Sequence, residues 1–310
     1  MIVERHSGLV GLLALAALLL AFPARSAAAE RDERDFFGMV GQSLAGDVYD
    51  PAKWSELELG TFFSEGWNEP WASGPNGEGG APRQGWLNAQ DGVFYRLFLF
   101  TFNWPHLDST DGYVGGLTAY TPINRRFQLR WDIPFVVSND QPGRDRETSF
   151  GDFQITPRWM LSETRNFSQS LDLTFRTPSG SGRTGTGFGA FGPWYNFWYN
   201  AVGGLVLRGG LGGFVPFEGD ASNSFNANLA AGYYFTKHEL VPIGDLVWYI
   251  STNLTQLTDG DTSDTTTLTF TPGFRAHLGW NWYLLGAVEV PVTNPEPFDY
   301  QVLGALMKVW

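Results

Sequence analysis

Apolar residues recur at every second position over long runs from about residue 93 onward, and this pattern constrains the fold most. In one such run the apolar positions are Phe127, Leu129, Trp131, Ile133, Phe135 and Val137. A period of two indicates a β-strand with one apolar and one polar face. The runs lie near 93–103, 112–121, 126–137, 150–161, 168–178, 189–200, 203–217, 223–235, 245–257, 265–278, 281–293 and 300–310. The sequence therefore predicts an all-β chain of about twelve strands.

The lengths of the runs and of their connections favour a transmembrane barrel over a soluble sandwich. Ordinary strands have about five or six residues, whereas a strand that crosses a bilayer at a tilt needs about 9–11. Short turns such as Gly203-Gly204 alternate with longer polar loops such as SNDQPGRDRETS. In bacterial outer-membrane barrels the short turns face the periplasm and the long loops face outward. We therefore predict a transmembrane antiparallel β-barrel of about 12 strands, in contact with outer-membrane lipid.

The residues before these runs divide into two parts. An apolar run over about 8–22 follows Arg5, and small residues then lead to Ala27-Ala28-Ala29. This order predicts a signal peptide over 1–29 and an exported chain. Residues 30–92 lack the alternation and contain the Gly- and Pro-rich stretch EGWNEPWASGPNGEGGAPRQGW. We predict that 30–92 is an N-terminal segment, either periplasmic or folded into the lumen as a plug, ahead of a barrel over 93–310.

Composition and residue types exclude several classes of function. The chain has no cysteine, so neither disulfides nor cysteine-ligated metals are available. The net charge of −12 argues against a nucleic-acid partner. His277 is the histidine predicted to face the lumen, and no serine or acid stands with it as a catalytic group. We predict that the chain is not an enzyme and has no catalytic residue, cofactor or metal site.

Charged side chains occupy the polar phase of the predicted strands. If the apolar phase meets lipid, the polar phase lines the lumen, since one lipid-facing arginine at mid-bilayer costs about 2–4 kcal/mol. These charges form either a constriction that selects solutes or an ion-pair network that fills and stiffens the barrel. The predicted lumen residues are Arg96, Arg130, Asp132, Asp152, Arg158, Asp172, Arg176, Arg208, Arg275 and Glu289.

The last predicted strand ends in LGALMKVW. Trp310 lies in the lipid-facing phase, and aromatic side chains are favoured at the membrane interface. We predict that this strand closes the barrel against the first strand, with Trp310 at the periplasmic interface. A terminal aromatic strand of this kind is expected to be recognised by the barrel assembly machinery. Lys308 shares the phase of Trp310, and its long side chain can reach the headgroup region.

Three short motifs resemble those of a known family. Gly151-Asp152 begins one strand, Pro178-Ser179-Gly180 ends the next, and Gly185-Thr186-Gly187 follows in a loop. This order resembles the outer-membrane β-barrel transporter family of the "MetA-pathway of phenol degradation" type over 93–310. The resemblance implies a porin-like barrel that passes or binds small organic solutes, often aromatic or apolar. Residues 30–92 depart from the family pattern, which leaves open a plug or a partner-binding role. The alternative functions are a non-conducting structural or partner-binding barrel and, third, a barrel hydrolase.

Overall fold

The described part of the chain begins with an N-terminal segment without strands and continues as one sheet. The computed structural model describes residues 35–107, 110–140, 145–217, 221–260, 263 and 265–310, so the predicted signal peptide lies outside the described residues. A single α-helix, α1 (Phe36–Ala45), precedes three single-turn 3-10 helices in these ranges. Asp35 caps α1 by accepting a hydrogen bond from the Gly38 amide at 2.9 Å. Within these ranges, no helix has the length and apolar character needed to cross a bilayer.

Twelve long strands form a closed antiparallel barrel, as the sequence predicts. In the described residues the strands are β1 (Leu97–Leu107), β2 (Thr110–Pro122), β3 (Phe127–Asp140), β4 (Glu147–Ser149), β5 (Gln154–Glu163), β6 (Phe167–Arg176), β7 (Ala190–Val202), β8 (Leu205–Pro216), β9 (Ser224–Tyr234), β10 (Gly244–Leu257), β11 (Thr266–Gly279), β12 (Trp282–Pro291) and β13 (Tyr300–Val309). The barrel closes because β13 pairs with β1 as well as with β12. The short β4 pairs with the end of β3 and lies outside the closed ring.

The two faces of each long strand differ in the way that the sequence alternation predicts. On β12, Leu284 and Val288 are exposed on the outer surface, whereas Tyr283, Leu285 and Glu289 are buried inside. Similar exposed apolar side chains occur on most of the other long strands, including Phe100, Leu211, Leu229 and Trp248. An outward apolar band around a closed barrel is the surface that contacts lipid in outer-membrane barrels.

The connections also separate into two ends of the barrel. A two-residue turn, Gly203 and Gly204, joins β7 to β8, and both glycines have positive φ, which other residues rarely adopt. The turn between β11 and β12 is equally short. Longer loops follow β3, β6 and β10 at the opposite end. The short turns after β2, β5, β7 and β11 therefore share one end, the periplasmic end of such barrels, and the loops after β3, β6 and β10 share the other. Two connections depart from this division: the longer one over 235–243 between β9 and β10, and the short one between β1 and β2.

The first strand begins at Leu97 rather than near Val93, which corrects the sequence prediction. Val93, Phe94 and Tyr95 are apolar and buried, but they pack inside the barrel against wall side chains. Alternation alone does not distinguish a buried segment from the first turns of a strand. At the other end of β1, His106 lies within the strand and pairs with Tyr300, whereas the sequence predicts a loop there.

An apolar core lies inside the barrel between the N-terminal segment and the inner faces of β7 to β10, β12, β13 and β1. The wall contributes Trp198, Val206, Ala230, Val247, Tyr249, Tyr283, Leu285, Ala287, Leu303, Ala305, Met307 and Leu97, and the N-terminal segment contributes Ala81, Trp86, Leu87, Val93 and Tyr95. The indole of Trp86 stacks on the ring of Tyr249, with centroids 4.8 Å apart. Parts of β12, β13 and β1 are consequently apolar on both faces, and the segment ahead of β1 fills this side of the lumen.

Candidate functional site

Residues 83–95 cross the barrel interior and form what we call the floor. Polar side chains of four neighbouring strands, β9 to β12, hold it. The bonds are Gln84 Nε2 to the Tyr283 hydroxyl at 3.0 Å, Asn88 Nδ2 to Thr271 Oγ1 at 2.8 Å, the Leu87 amide to the Tyr249 hydroxyl at 3.0 Å, and the Gln90 amide to Asn228 Oδ1 at 2.8 Å. The floor is therefore fixed to one half of the wall by hydrogen bonds as well as by the apolar core.

A buried charge cluster, which we call the Asp91 cluster, fixes the floor to the other half of the wall. Arg158 donates to Asp91 Oδ1 at 3.3 Å and to Asp172 Oδ2 at 2.8 Å. Arg208 forms an ion pair with Asp91 and donates to the main-chain oxygens of Gln84 and Gln90, each at 2.8 Å. The two arginines and two acids balance in charge, which is the condition under which buried ions are tolerated.

The floor carboxylate of this cluster stays ionised at neutral pH. Burial raises the pKa of Asp91, but the charges of Arg208 and Arg158 and the hydrogen bond from the Val93 amide outweigh it, so the pKa lies below its usual value. A depressed pKa stabilises the folded state above the unfolded pKa, and this contribution is lost only as the pH falls through the lower folded value. Mild acidification therefore leaves the Asp91 carboxylate ionised beside its two arginines.

Arginines at the periplasmic end attach the start of the floor and the residues before it to the barrel. Arg83 forms an ion pair with Glu163 at 2.6 Å, and Arg125 forms one with Glu69 at 2.9 Å. Arg126 is fully buried, and burial, with the like charge of Arg125, lowers its pKa to about 10. The acceptors of Arg126 are the main-chain oxygens of Glu58, Glu65, Met160 and Leu161 and the hydroxyl of Thr61. This guanidinium joins the stretch 58–65 of the segment to the end of β5.

Above the floor the lumen contains two adjoining chambers of about 430 Å³ each. Arg130, Asp132, Gln154 and Gln90 line both of them. Leu99, Leu117, Ile133 and Leu303 contribute an apolar wall to the first chamber. Arg176, Trp194, Phe214, Thr174 and Asn226 line the second chamber. The lining surface of both chambers is thus more polar than apolar, with apolar and aromatic side chains on part of the wall.

Most of the predicted lumen residues lie inside the barrel. They are Arg130, Asp132, Arg158, Asp172, Arg176, Arg208, Arg275 and Glu289. Arg130 forms an ion pair with Asp132 at 2.9 Å, beside the Asp91 cluster that contains three others. Glu289 accepts a hydrogen bond from Thr269 Oγ1 at 2.5 Å. The paired residues correspond to the ion-pair interpretation of the sequence, and their role in selecting solutes stays a prediction.

Two predicted lumen residues lie elsewhere. Arg96 precedes β1 at the periplasmic rim, where it donates to the main-chain oxygens of Gly46 and Trp310 at 2.9 and 2.6 Å. The later start of β1 explains this difference, because Arg96 is no longer part of the strand. Asp152 precedes β5 and organises the outer loop after β6, accepting hydrogen bonds from the amides of Gly180 and Thr186, each at 2.8 Å.

Sequence reasoning missed the groups of the N-terminal segment that make these contacts. Asp91, Gln84 and Arg83 show no periodicity, and each contacts a residue far along the chain. Two weak signals were available: the tryptophans of 30–92, which favour a packed segment, and the adjacent arginines 125 and 126 in a tight turn. Neither signal identifies the contacting partners.

Trp310 packs at the periplasmic rim and joins the last strand to the N-terminal segment. Its indole stacks on Phe98 of β1, with centroids 4.1 Å apart, and Nε1 donates to the Leu44 main-chain oxygen at 3.3 Å. Its own main-chain oxygen accepts from the Tyr49 hydroxyl at 3.2 Å and from Arg96. The residue therefore contacts β1, α1 and the stretch after α1.

Replacing Trp310 with alanine should detach α1 from the barrel. The change removes the ring stack on Phe98 and the bond to Leu44, together worth about 1–3 kcal/mol. We expect amide hydrogen exchange over 36–45 to accelerate about tenfold. If the assembly machinery recognises this residue, we also expect a smaller fraction of folded protein in outer membranes. Trp280→Ala is the matched control, since Trp280 is 91% exposed in the adjacent turn. Equal exchange in the two variants would contradict the role of Trp310 at α1.

Comparison with known proteins identifies the fold but no family. No family model and no curated protein matches the chain. Among solved structures, the COG4313 outer membrane channel from Pseudomonas putida F1 superposes with a TM-score of 0.56 at 11% identity, covering 74% of this chain and 100% of that channel. The KdgM porin gives a TM-score of 0.45 at 11% identity, covering 68% of this chain and 99% of the porin.

The likeness of fold to the Pseudomonas putida F1 channel agrees with the architecture built up from the residues. The chain has the fold of a bacterial outer-membrane barrel, and its exposed apolar band is the surface that lies in that membrane. The resemblance to the MetA-pathway family stays a prediction.

Proposed function

We propose that the chain is an outer-membrane channel that admits small organic solutes to an outward-facing vestibule closed below by a movable floor. The observation that carries the proposal is the position of the two chambers, directly above residues 83–95 inside a closed barrel. In this proposal, residues 1–29 are the export signal. Residues 30–95, which include the floor, form the plug, and the barrel strands follow. No step of chemistry and no cofactor is involved.

The lining of the chambers supports a solute with both polar and apolar parts. The first chamber has an apolar side that includes Leu99 and Leu303 and a polar side that includes Arg130 and Asn103. The family resemblance supports the same preference, because it implies aromatic or apolar compounds. The printed description of the Pseudomonas putida F1 protein, an outer membrane channel, supports passage rather than catalysis.

The number of contacts at the floor favours a second candidate, a barrel that does not conduct. The Asp91 cluster and the hydrogen bonds to Tyr283, Thr271, Tyr249 and Asn228 oppose any displacement of the floor. Such a barrel would serve a structural or partner-binding role. The two candidates differ in whether the floor can move.

A removable cross-link between the floor and the wall tests the proposal. The chain has no cysteine, so Asn88→Cys with Thr271→Cys introduces the only two thiols, at side chains that are hydrogen bonded at 2.8 Å. We expect low conductance in planar bilayers and slow liposome swelling in arabinose while the disulfide is closed, and recovery of both after reduction. The single-cysteine variants, which form no cross-link, are the controls.

The other outcomes of the cross-linking experiment distinguish a fixed floor from a non-conducting barrel. Equal conductance before and after reduction would show that solutes pass beside a fixed floor. The absence of conductance in both states, and in the single-cysteine variants, would favour the non-conducting barrel.

A further inference from the structure

Arg176 occupies an unusual position in the second chamber. Its guanidinium lies between two aromatic rings, with Cζ 4.8 Å from the centroid of Phe188 and 4.8 Å from that of Phe214. Phe188 belongs to the outer loop after β6, and Phe214 belongs to β8. Aromatic faces on both sides hold the cation by cation–π attraction without neutralising its charge. The geometry thus fixes a positive charge at the edge of an aromatic chamber.

The other arginines of the chambers are paired with acids, whereas Arg176 is not. Arg130 pairs with Asp132, and Arg158 pairs with Asp172. In the described ranges, Arg176 makes no side-chain hydrogen bond or ion pair, and its Nε and Nη2 atoms are buried without a partner. Nη1 is the guanidinium nitrogen that keeps access to solvent. An arginine held in place with its donors unused is suited to a ligand that supplies acceptors.

The nearest acid, Asp152, does not form an ion pair or hydrogen bond with the Arg176 guanidinium. Asp152 acts on Arg176 only through its charge, because both of its carboxylate oxygens accept hydrogen bonds from the outer loop. Thr186 supplies both its amide and its hydroxyl to Asp152 Oδ2. The carboxylate is therefore committed to the loop and leaves the Arg176 donors available.

The remaining lining of the second chamber fits an apolar body. Trp194 presents its indole there, and the ring lies close against β8 because Gly212, its cross-strand partner, has no side chain. A Cβ at position 212 would overlap the indole. Among the described residues, the charged side chains that line this chamber are Arg176 and the paired Arg130 and Asp132, in a chain that carries −12 overall. The unpaired guanidinium of Arg176 therefore offers an anion a local contact in a protein whose net charge repels anions.

We infer that Arg176 anchors a binding site for small organic carboxylates, with the carboxylate on the guanidinium and an aromatic or apolar body against Trp194 and Phe214. This inference rests on the proposed function and names the class of solute that the vestibule selects. Guanidinium–carboxylate pairs form strong, directional hydrogen bonds, and the fork of arginine matches the two carboxylate oxygens. Movement of Phe188 with its loop would expose Nη2 beside Nη1 for such a pair.

Equilibrium binding of benzoate to the purified barrel in nanodiscs, measured by titration calorimetry, tests the inference. Benzyl alcohol replaces the carboxylate with a neutral group, benzylamine reverses the charge, and acetate removes the ring. We expect wild-type protein to bind benzoate more tightly than any of the three. Arg176→Gln should weaken benzoate binding about tenfold or more, since a hydrogen bond to a charged group is worth about 1.5–3 kcal/mol.

Controls separate this site from general charge effects and from misfolding. Arg183→Gln removes a nearby loop arginine that is paired with Glu147 at 3.1 Å, and should bind benzoate like the wild type. Arg176→Lys keeps the charge but loses the fork, and should fall between wild type and Arg176→Gln. Trp194→Leu should weaken binding of benzoate without affecting that of acetate.

Several results would overturn the inference. They are equal affinity for benzoate and benzyl alcohol, tighter binding of benzylamine than of benzoate, or unchanged benzoate affinity in folded Arg176→Gln. Because binding is measured without transport, a barrel that binds benzoate but never conducts would refute the proposed channel and retain the site. A conducting barrel without this selectivity would refute the site alone.

Discussion

Asp91→Asn should release the floor from the barrel wall. The substitution leaves Arg158, Arg208 and Asp172 buried with one uncompensated positive charge, where the wild-type Asp91 cluster is balanced. Removing one partner of a buried ion network costs about 3–5 kcal/mol. The population with a displaced floor should therefore rise by about 10²–10⁴-fold. A thiol at Asn88→Cys reports this population through its rate of labelling by a bulky maleimide.

The matched control for this experiment is Asp132→Asn. It also removes one vestibule carboxylate, but Asp132 pairs with Arg130 on the wall and makes no hydrogen bond to the floor in the described residues. We expect its labelling rate to match that of the parent Asn88→Cys protein. If Asp91→Asn also leaves the rate unchanged, the Asp91 cluster does not hold the floor. If labelling and conductance rise together, the floor is the gate.

Arg126→Met should disorder the stretch 57–66 at the periplasmic end. The side chain is fully buried and donates to five oxygens, four on the main chain and one on Thr61. Each hydrogen bond to a charged donor is worth about 1.5–3 kcal/mol, and a buried acceptor left unpaired adds its own cost. These contributions are not additive, and we expect a local loss of about 3–5 kcal/mol. Amide hydrogen exchange of 57–66 should accelerate at least about 100-fold.

Two further variants make this result specific. Arg126→Lys retains the charge with three donors and should give an intermediate rate. Arg165→Met removes an exposed arginine in the next turn, whose side chain makes one 3.3 Å bond to the Asn76 main-chain oxygen. Its exchange over 57–66 should match the wild type. Rapid exchange in Arg165→Met would attribute the effect to loss of positive charge at this end rather than to the contacts of Arg126.

The barrel itself was predictable because lipid imposes a simple rule on each strand. Alternation identifies the strands because a residue on the outer face contacts hydrocarbon whatever its neighbours are. The last strand illustrates this, with Leu306 exposed outside and Met307 fully buried inside. The same rule failed at Val93–Tyr95, where apolar residues face an interior core instead of lipid.

The candidate site was less predictable because its contacts join distant parts of the chain. Arg158 and Arg208 were identified as lumen residues from their phase, but their shared partner Asp91 lies 67 and 117 positions away in a segment without periodicity. The sequence likewise gives no reason to separate Arg176 from the paired arginines. Arg176 differs because the nearest carboxylate, that of Asp152, accepts hydrogen bonds from the amides of Gly180 and Thr186 instead. These bonds depend on the fold of the outer loop after β6.

The two-faced apolar character of β12, β13 and β1 has a consequence for biogenesis. Before the barrel forms, Leu285, Leu303, Met307 and Leu97 have no floor to cover them, while the outer faces of the same strands have no lipid. Pairing of β13 with β1 closes the ring, so these strands flank its seam. A strand that is apolar on both faces, with neither face covered, is an aggregation hazard in the unassembled chain. In the folded protein the N-terminal segment covers the inner faces of the strands at this seam, so removing the segment would expose apolar surface to the lumen.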